Sequence, residues 1–374
     1  MTKGFNKINL GMILILLASH VLTKTSDWPT YGNDAGSSKY AALDKITIDN
    51  VSKLRVAWQW ESPDNKLVAE NPRLTPWGFK STPVKIGSTL FTSTSLGHVA
   101  AIDAKTGKLC EDFGNDGKVD LRKGLGDHPD IYYWSSSPPA IINERIIVGG
   151  SVIDNTSINI PGGVVRAYNI RTGDLEWYWD PVPPGMEINS SDNGNAEYQR
   201  GTANVWSIIS TDPDLNLIYL PTGNASPDYY GGHREGLDYY NSSVVALKAD
   251  TGEVAWHFKT VYHDVWDYDV PSQPTFYDIE KDGKTIKALA QTTKMGFVFL
   301  LNRETGEPIF PIEEIEVPQG SLEGEKLSKT QPFPSKPLPL NPTYFDPDEA
   351  YGFTFWDKGY CKSCLLYTSP SPRD

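Results

Sequence analysis

Apolar positions along this chain come in short runs with polar turn residues between them. Runs such as Thr89-Leu90-Phe91, Ile146-Ile147-Val148 and Leu217-Ile218-Tyr219-Leu220 are rich in β-branched and aromatic residues. Turn pairs such as Gly87-Ser88 and Asn143-Glu144 precede the first two runs. Long stretches of helical period are missing. The pattern therefore predicts an all-β protein built from many short strands and turns.

One unit recurs along the chain and ends in a Thr-Gly pair. Its four copies occupy residues 101–107, 167–173, 246–252 and 300–306. Each copy indicates a strand, a polar turn closed by a glycine of positive φ, and a returning strand. Trp177, Trp256 and Phe310 follow the last three copies. An aromatic residue at a fixed place in the unit is predicted to dock one sheet against the next, which is a structural role.

A second pattern precedes each copy and supplies another hairpin, as in Ser81-Thr82-Pro83 followed by Val84-Lys85-Ile86. Two hairpins per copy make four strands. The Thr-Gly pairs lie 66, 79 and 54 residues apart, which is the scale of a propeller blade with inserted loops. We therefore expect residues 27–364 to form about five consecutive four-stranded sheets.

Charge and cysteine content exclude several function classes. The 374 residues carry a net charge of −13, and no cluster of Lys and Arg suits nucleic acid. The cysteines are Cys110, Cys361 and Cys364, which are too few for a disulfide framework. The single Cys-x-x-Cys lacks the second pair that a zinc site needs.

Residues 1–25 combine Lys3 and Lys7 with an apolar run over residues 8–17 and small residues beyond it. The run is too short to span a membrane comfortably, so the pattern favours a secretory signal peptide over the alternative of a membrane anchor. We therefore expect the mature chain to be periplasmic or secreted.

The stretch from Tyr262 to Lys294 carries the strongest chemical signal. Asp264, Asp267 and Asp269 fall within six positions and alternate with aromatic residues. Aromatic walls can make one carboxylate a base, and a nearby ammonium can hold an anionic ligand. The alternative is a surface turn in which the aspartates accept hydrogen bonds from the backbone of the turn and the tryptophan packs against the protein. Composition alone leaves both interpretations open.

Together, the repeats and this stretch resemble the quinoprotein dehydrogenases, and within them the glucose/quinate/polyol dehydrogenase branch of eight-bladed propellers. The further motifs that carry the resemblance are Asp27-Trp28-Pro29, Leu54-Arg55-Val56-Ala57-Trp58, Leu109-Cys110, Gly150-Ser151 and Phe355-Trp356-Asp357. The resemblance implies an all-β, eight-bladed quinoprotein propeller, here incomplete at about five blades. It also implies oxidation of a sugar or polyol hydroxyl with hydride transfer to pyrroloquinoline quinone. Electrons would then pass to an external acceptor such as a membrane quinone.

The resemblance also implies roles for individual residues. Asp267 matches the base that takes the substrate hydroxyl proton, partly desolvated by its aromatic neighbours. Lys294 matches the cation beside the quinone oxygens, and Trp206 matches the indole on which the flat cofactor stacks. Ser136 and Ser151 match hydroxyls that hold cofactor carboxylates. Taken alone, Trp206 suits an ordinary core position and both serines suit turn caps.

Asp154 and Asn155 match the pair that ligates a divalent cation in the glucose branch, and Asn224 matches an amide ligand of the alcohol branch. Hard oxygen ligands suit Ca²⁺, with Mg²⁺ second, and the ion would act as a Lewis acid on the quinone carbonyl. The alternative for Asp154 and Asn155 is an Asx turn.

The chain departs from the family pattern in several places. A stretch carrying Cys-Arg-Gly and a cofactor-contacting His is missing, because residues 81–107 form one uninterrupted unit. The last three or so blades are missing too, and residues 365–374 match nothing in the family. The sequence has no adjacent Cys-Cys pair, which argues against the methanol and ethanol branch. We therefore interpret 365–374 as an extraneous or disordered tail and the chain as an N-terminal fragment, whose activity by itself the sequence leaves open. A non-catalytic propeller scaffold is the competing hypothesis, which the coincidence of the site residues disfavours.

Overall fold

The computed structural model describes residues 27–75, 78, 80–188, 194–320, 322–341 and 346–368. The predicted signal peptide, residues 1–25, and the end of the predicted tail, residues 369–374, lie outside the described residues. The α-helices are α1 (Asp64–Glu70) and α2 (Phe355–Thr368), and short 3₁₀ turns span Val51–Lys53, Asp130–Tyr132, Gly231–His233, Leu237–Tyr240 and Pro347–Glu349. Helix α2 extends past Cys364, where the sequence predicts the propeller segment to end. Within the described ranges, no helix has the length and apolar content needed to cross a bilayer.

All other regular elements are strands. They are β1 (Val84–Ile86), β2 (Thr89–Ser93), β3 (His98–Asp103), β4 (Lys118–Asp120), β5 (Tyr133–Trp134), β6 (Ala140–Ile142), β7 (Arg145–Val148), β8 (Ser151–Val152), β9 (Val165–Asn169), β10 (Leu175–Trp179), β11 (Ser210–Asp212), β12 (Leu217–Pro221), β13 (Ser243–Lys248), β14 (Val254–Lys259), β15 (Thr275–Lys281), β16 (Lys284–Thr292), β17 (Val298–Asn302), β18 (Ile312–Glu316) and β19 (Thr330–Pro334).

The strands form a series of antiparallel meanders in chain order. Sheet I is β1-β2-β3-β4, sheet II is β6-β7-β9-β10 and sheet III is β11-β12-β13-β14. These three confirm the predicted four-stranded unit. Sheet IV has the three strands β15-β16-β17, sheet V is the hairpin β18-β19, and β5 pairs with β8 in a short ribbon.

The prediction of five four-stranded sheets is wrong for sheets IV and V. After the Thr-Gly turn of sheet IV, the chain returns along β17, where Ile309 N donates to Leu300 O at 2.8 Å. The next N–H that would point to β17 belongs to residue 311, and Pro311 has no N–H to donate to a β ladder. The returning segment therefore makes only the isolated bridge between Leu301 and Pro308.

The core lies in layers between successive sheets. In β7, Ile146 packs in the layer between sheets I and II, whereas Ile147 packs in the layer between sheets II and III. In β12, Ile218 and Tyr219 divide in the same way between the second layer and the layer between sheets III and IV. Adjacent side chains of a strand point to opposite faces, so each central strand is apolar on both faces.

Tryptophans join successive sheets as the repeat predicts. Trp177 of sheet II donates from Nε1 to Ala249 O of sheet III at 3.0 Å. Its ring covers Gly252, where an added Cβ would lie 2.5 Å from the indole. Trp256 covers Gly306 of sheet IV with the same separation. The predicted docking role is therefore confirmed for Trp177 and Trp256 and stays a prediction for Phe310, and the glycines are required both by positive φ and by the close ring.

Candidate active site

The topology explains why distant residues meet. Successive antiparallel strands reverse direction, so the connection from the second to the third strand leaves the same end of a sheet as the connection to the next sheet. The connections at this end carry Ser151 and Asp154 (β7 to β9), Trp206 (β10 to β11), Asn224 and Asp228 (β12 to β13), Asp267 and Asp269 (β14 to β15) and Lys294 (β16 to β17). The Thr-Gly turns lie at the opposite end.

A cavity of about 220 Å³ opens where these connections meet. We call it the acidic cavity, and its lining residues are Lys80, Trp134, Ser136, Ser151, Val152, Asp154, Asn204, Trp206, Asp228, Asp267, Asp269 and Lys294. All of the residues predicted as base, quinone cation and stacking indole are among them, together with both predicted serines and Asp154. Their roles remain predictions, but their convergence is a property of the structure.

An ion-pair cluster occupies the centre of the acidic cavity. Lys294 Nζ lies 2.6 Å from Asp269 Oδ1 and 3.0 Å from Asp267 Oδ2, and it donates to Asp267 O at 2.7 Å. Trp206 Nε1 donates to Asp269 Oδ2 at 2.7 Å. Asp269 is buried and therefore holds the ammonium and the indole in a fixed relation. Lys294 Nζ lies 5.9 Å from the centroid of the Trp206 ring.

Asp267 is held in a backbone conformation that non-glycine residues rarely adopt, with φ +57°. Lys294 contacts both its carbonyl and its carboxylate. The aromatic neighbours in sequence are placed differently from the expectation, because Trp266 and Tyr268 line a separate apolar pocket and Trp266 is 43% exposed. The aromatic side chains that line the acidic cavity are instead Trp134 and Trp206.

Burial and mutual repulsion perturb the titration of the cavity. Burial raises the pKa of Asp269 to about 6, although Lys294 and Trp206 oppose the rise. Burial, reinforced by the carboxylates of Asp154, Asp267 and Asp269, raises the pKa of Asp228 to about 7. For Lys294, burial lowers the pKa, but Asp269 and Asp267 more than offset it, so the net pKa is raised. Carboxylates thus outnumber ammonium groups among the lining residues, and the cavity favours an added cation.

The two predicted serines lie next to each other at the cavity wall. Ser136 Oγ and Ser151 Oγ are 2.6 Å apart. Ser136 Oγ also donates to Trp206 O at 2.6 Å, which ties this wall to the backbone of the indole. The hydroxyls therefore position Trp206, and their predicted contact with a cofactor carboxylate remains a prediction.

The two predicted amide ligands of the cation do not line the acidic cavity. Asn155 Oδ1 accepts from the backbone N–H groups of Asp228 at 3.0 Å and Tyr229 at 3.4 Å. This capping role resembles the Asx-turn alternative, although it joins two connections rather than one turn. Asn155 adopts φ +48°, which asparagine tolerates better than most residues.

Asn224 belongs to a separate buried network. Its Nδ2 donates to Asp264 Oδ2 at 3.1 Å, and its Oδ1 accepts from Ser242 Oγ at 2.9 Å. Asp264 also accepts from Trp266 N, and its Oδ2 lies 2.7 Å from Ser242 Oγ, whose single proton is shared between Asp264 and Asn224. This network fixes the start of the Asp-rich connection. Among the residues that the structure describes, no group of three or more His, Cys, Asp or Glu side chains is placed to hold a metal ion.

Sequence reasoning missed Asp228 and Asn204. Asp228 lies four residues beyond Asn224 in the same connection, and that proximity was the available signal. Asn204 lies two residues before Trp206, and its buried Oδ1 accepts no hydrogen bond within the described part of the chain. Both residues line the acidic cavity.

Comparison with known proteins bears on both fold and family. The family described as "PQQ: Glucose/ethanol/alcohol dehydrogenase, beta-propeller domain" matches residues 28–108 and 96–368. Quinate/shikimate dehydrogenase (quinone) of Acinetobacter baylyi is 32% identical over 93% of this chain and 52% of its own length. Quinoprotein glucose dehydrogenase of Escherichia coli is 31% identical over 93% of this chain and 52% of its own length. The glycerol dehydrogenase large subunit of Gluconobacter thailandicus is 30% identical over 90% of this chain and 53% of its own length.

Solved structures show the same fold at lower identity. Quinohemoprotein alcohol dehydrogenase from Comamonas testosteroni superposes with a TM-score of 0.53 at 23% identity, covering 84% of this chain and 52% of that chain. A europium-containing methanol dehydrogenase superposes with a TM-score of 0.52 at 20% identity, covering 82% of this chain and 61% of that chain. The chain spans about half the length of the curated relatives it matches. The predicted fold class, an incomplete propeller of the quinoprotein type, is confirmed, as is the resemblance to the glucose/quinate/polyol branch.

Proposed function

We propose that this chain, which belongs to the glucose/ethanol/alcohol dehydrogenase β-propeller family, is a quinoprotein dehydrogenase that oxidises a hydroxyl of a sugar or polyol with pyrroloquinoline quinone. The observation that carries the proposal is the cluster in which Asp269 joins Lys294 to Trp206 beside Asp267. The relatives are named for quinate, shikimate, glucose and glycerol, all of which carry several hydroxyl groups.

The lining residues fit a flat, anionic quinone. Trp206 offers an indole whose Nε1 is tied to Asp269, so the ring has a fixed orientation for stacking. Lys294 offers an ammonium within 5.9 Å of that ring, where it would meet quinone oxygens. When bound, the quinone supplies the hydride acceptor that no side chain can provide.

Asp267 is the proposed base. Its Oδ2 lies 3.0 Å from Lys294 Nζ, while no donor within the described part of the chain hydrogen-bonds its Oδ1. Oδ1 is therefore the atom that would take the proton of the substrate hydroxyl. Proton transfer to a positioned carboxylate typically contributes about 10²–10⁴-fold to a rate. Lys294 holds Asp267 through two contacts and so orients the carboxylate for this transfer.

A divalent cation, Ca²⁺ with Mg²⁺ second, is supported by charge more than by a completed ligand set. Asp154 lines the cavity and would hold the ion, which would polarise a quinone carbonyl. Asn155 and Asn224 already accept hydrogen bonds at Oδ1. Asn155 Oδ1 accepts two hydrogen bonds and Asn224 lies in a separate buried network, so these amides would join the ion only after local rearrangement.

The remaining parts of the proposal follow from the sequence. Electrons would pass to an external acceptor such as a membrane quinone, and residues 1–25 would direct the chain to the periplasm or outside the cell. The scaffold alternative is disfavoured by the cost of desolvating several like charges around Lys294. A non-catalytic propeller has no use for that arrangement.

Quinone titration tests the proposal directly. Pyrroloquinoline quinone should quench tryptophan fluorescence, and Trp206→Ala or Lys294→Met should weaken its binding by at least about tenfold. Trp356→Phe, an exposed tryptophan on α2, is the matched control and should leave binding unchanged. Equal affinity in the wild type and in both cavity variants would contradict a quinone site here.

A further inference from the structure

We propose that Asp228 is a specificity-determining residue, whose carboxylate accepts a hydrogen bond from a substrate hydroxyl other than the one that is oxidised. The inference deepens the proposed function and rests on it. In this role, Asp228 selects substrates with at least two hydroxyl groups over simple alcohols.

The backbone of Asp228 is fixed on both sides. Its N–H donates to Asn155 Oδ1 at 3.0 Å, and its carbonyl accepts from Arg234 Nη2 at 2.5 Å. Arg234 Nε also donates to Pro227 O at 2.9 Å. Arg234 is itself 1% exposed, so this clamp is part of the packed interior. The Asp228 side chain therefore projects from a preorganised position.

The carboxylate of Asp228 faces the acidic cavity without a protein donor. The residue is 6% exposed and lines the same cavity as Asp267. Within the described ranges, no donor hydrogen-bonds either carboxylate oxygen of Asp228. The carboxylate oxygens are open to the cavity, so a ligand hydroxyl can reach them, and the low exposure of the residue strengthens that hydrogen bond relative to one made by a fully exposed acceptor.

The neighbouring groups determine what kind of ligand fits. Asp154, Asp267 and Asp269 repel Asp228 and offer only acceptors when ionised. A ligand with two hydroxyl donors would give one hydroxyl to Asp267 and another to Asp228. A simple alcohol supplies only one donor and leaves the second carboxylate unsatisfied. Sites built to hydrogen-bond a hydroxyl reject analogues that lack it.

Glycerol and propan-1-ol make a matched substrate pair because they share a three-carbon chain. In the full chain with quinone, Ca²⁺ and a dye acceptor, Asp228→Ala should lower kcat/KM for glycerol by about 10–100-fold, mainly through KM. The same variant should leave kcat/KM for propan-1-ol within about twofold. Asp228→Asn keeps an acceptor oxygen and should retain most of the preference for glycerol. Asp214→Asn, on an exposed turn, is the surface control.

Equal losses on both alcohols, or no loss on glycerol, would overturn the assignment. If the wild type oxidises neither these alcohols nor glucose nor quinate, the proposed function fails, and a binding measurement still decides the role of Asp228. Saturation-transfer NMR would then follow glycerol on the quinone-free chain. Contact in the wild type that weakens in Asp228→Ala supports the assignment, whereas equal contact in both proteins, or none in the wild type, overturns it.

Discussion

Lys294 Nζ lies closer to the carboxylate of Asp269, at 2.6 Å, than to the carboxylate of Asp267, at 3.0 Å. The nearer carboxylate is also the one that holds the Trp206 indole. Asp269 therefore serves as the structural anion of the cluster and is committed to two partners, which leaves Asp267 with a free oxygen. Two aspartates separated by one residue thus have different capacities for chemistry.

The calcium dependence tests the role of Asp154. Asp154→Ala removes a charged oxygen from the cavity, so half-maximal turnover should need more Ca²⁺, and excess Ca²⁺ should recover part of the rate. Dye-linked turnover across a Ca²⁺ titration, with calorimetric Ca²⁺ binding, measures both effects. Asp112→Ala is an exposed control. An unchanged Ca²⁺ requirement would remove Asp154 from the set of ligands.

The docking tryptophans predict an unequal pair of glycine substitutions. Gly252 and Gly283 have φ +73° and +72°, but of the two only Gly252 faces an indole, and nothing lies within 4 Å of a Cβ added at Gly283. Gly283→Ala should cost about 1–2 kcal/mol of the free energy of unfolding, from backbone strain alone. Gly252→Ala should cost about 1–3 kcal/mol more because Trp177 must move. Urea unfolding measures both, and equal costs would contradict the docking contact.

Asp180 predicts a pH-dependent stability outside the site. Burial raises its pKa to about 7, opposed by Gln199 N, which donates to Oδ2 at 2.6 Å. The folded state therefore binds the proton more tightly than the unfolded state, so the contribution is present below about pH 4 and is lost as pH rises through 7.

Asp180→Asn removes this titration and should raise the free energy of unfolding at pH 8 by roughly 2–4 kcal/mol. The gain should shrink as the pH falls toward 4. Denaturant unfolding of both proteins at several pH values measures the difference. A gain of the same size at pH 5 and pH 8 would show that the effect is not a titration.

Sheets I to III and the docking of Trp177 could be predicted from the sequence because they follow from local periodicity and a repeated turn. The short ladder of sheet IV has a cause that the sequence shows, Pro311, but the repeat pattern led to the prediction of a fourth strand. Register and strand count depend on each N–H, which apolar patterning does not report.

The site was predictable where its residues lie in a distinctive motif, as for Asp267 and Lys294. It was less predictable where the decisive partner is remote. Asn224 is held by Ser242 and Asp264, up to 40 positions away, and no local pattern shows that competition. Asp228 resembles an ordinary Pro-Asp turn until the fold brings it beside the other carboxylates.

The central claim is that Asp267 is the base. Asp267→Asn keeps the size of the side chain and an acceptor for Lys294 but removes proton acceptance. The measurement is the rate at which quinone-loaded wild-type and Asp267→Asn protein reduce a dye while oxidising a polyol. Quinone binding is checked in both proteins. Asp267→Asn should bind the quinone as the wild type does and turn over about 10²–10⁴-fold more slowly. Turnover at the wild-type rate would contradict it.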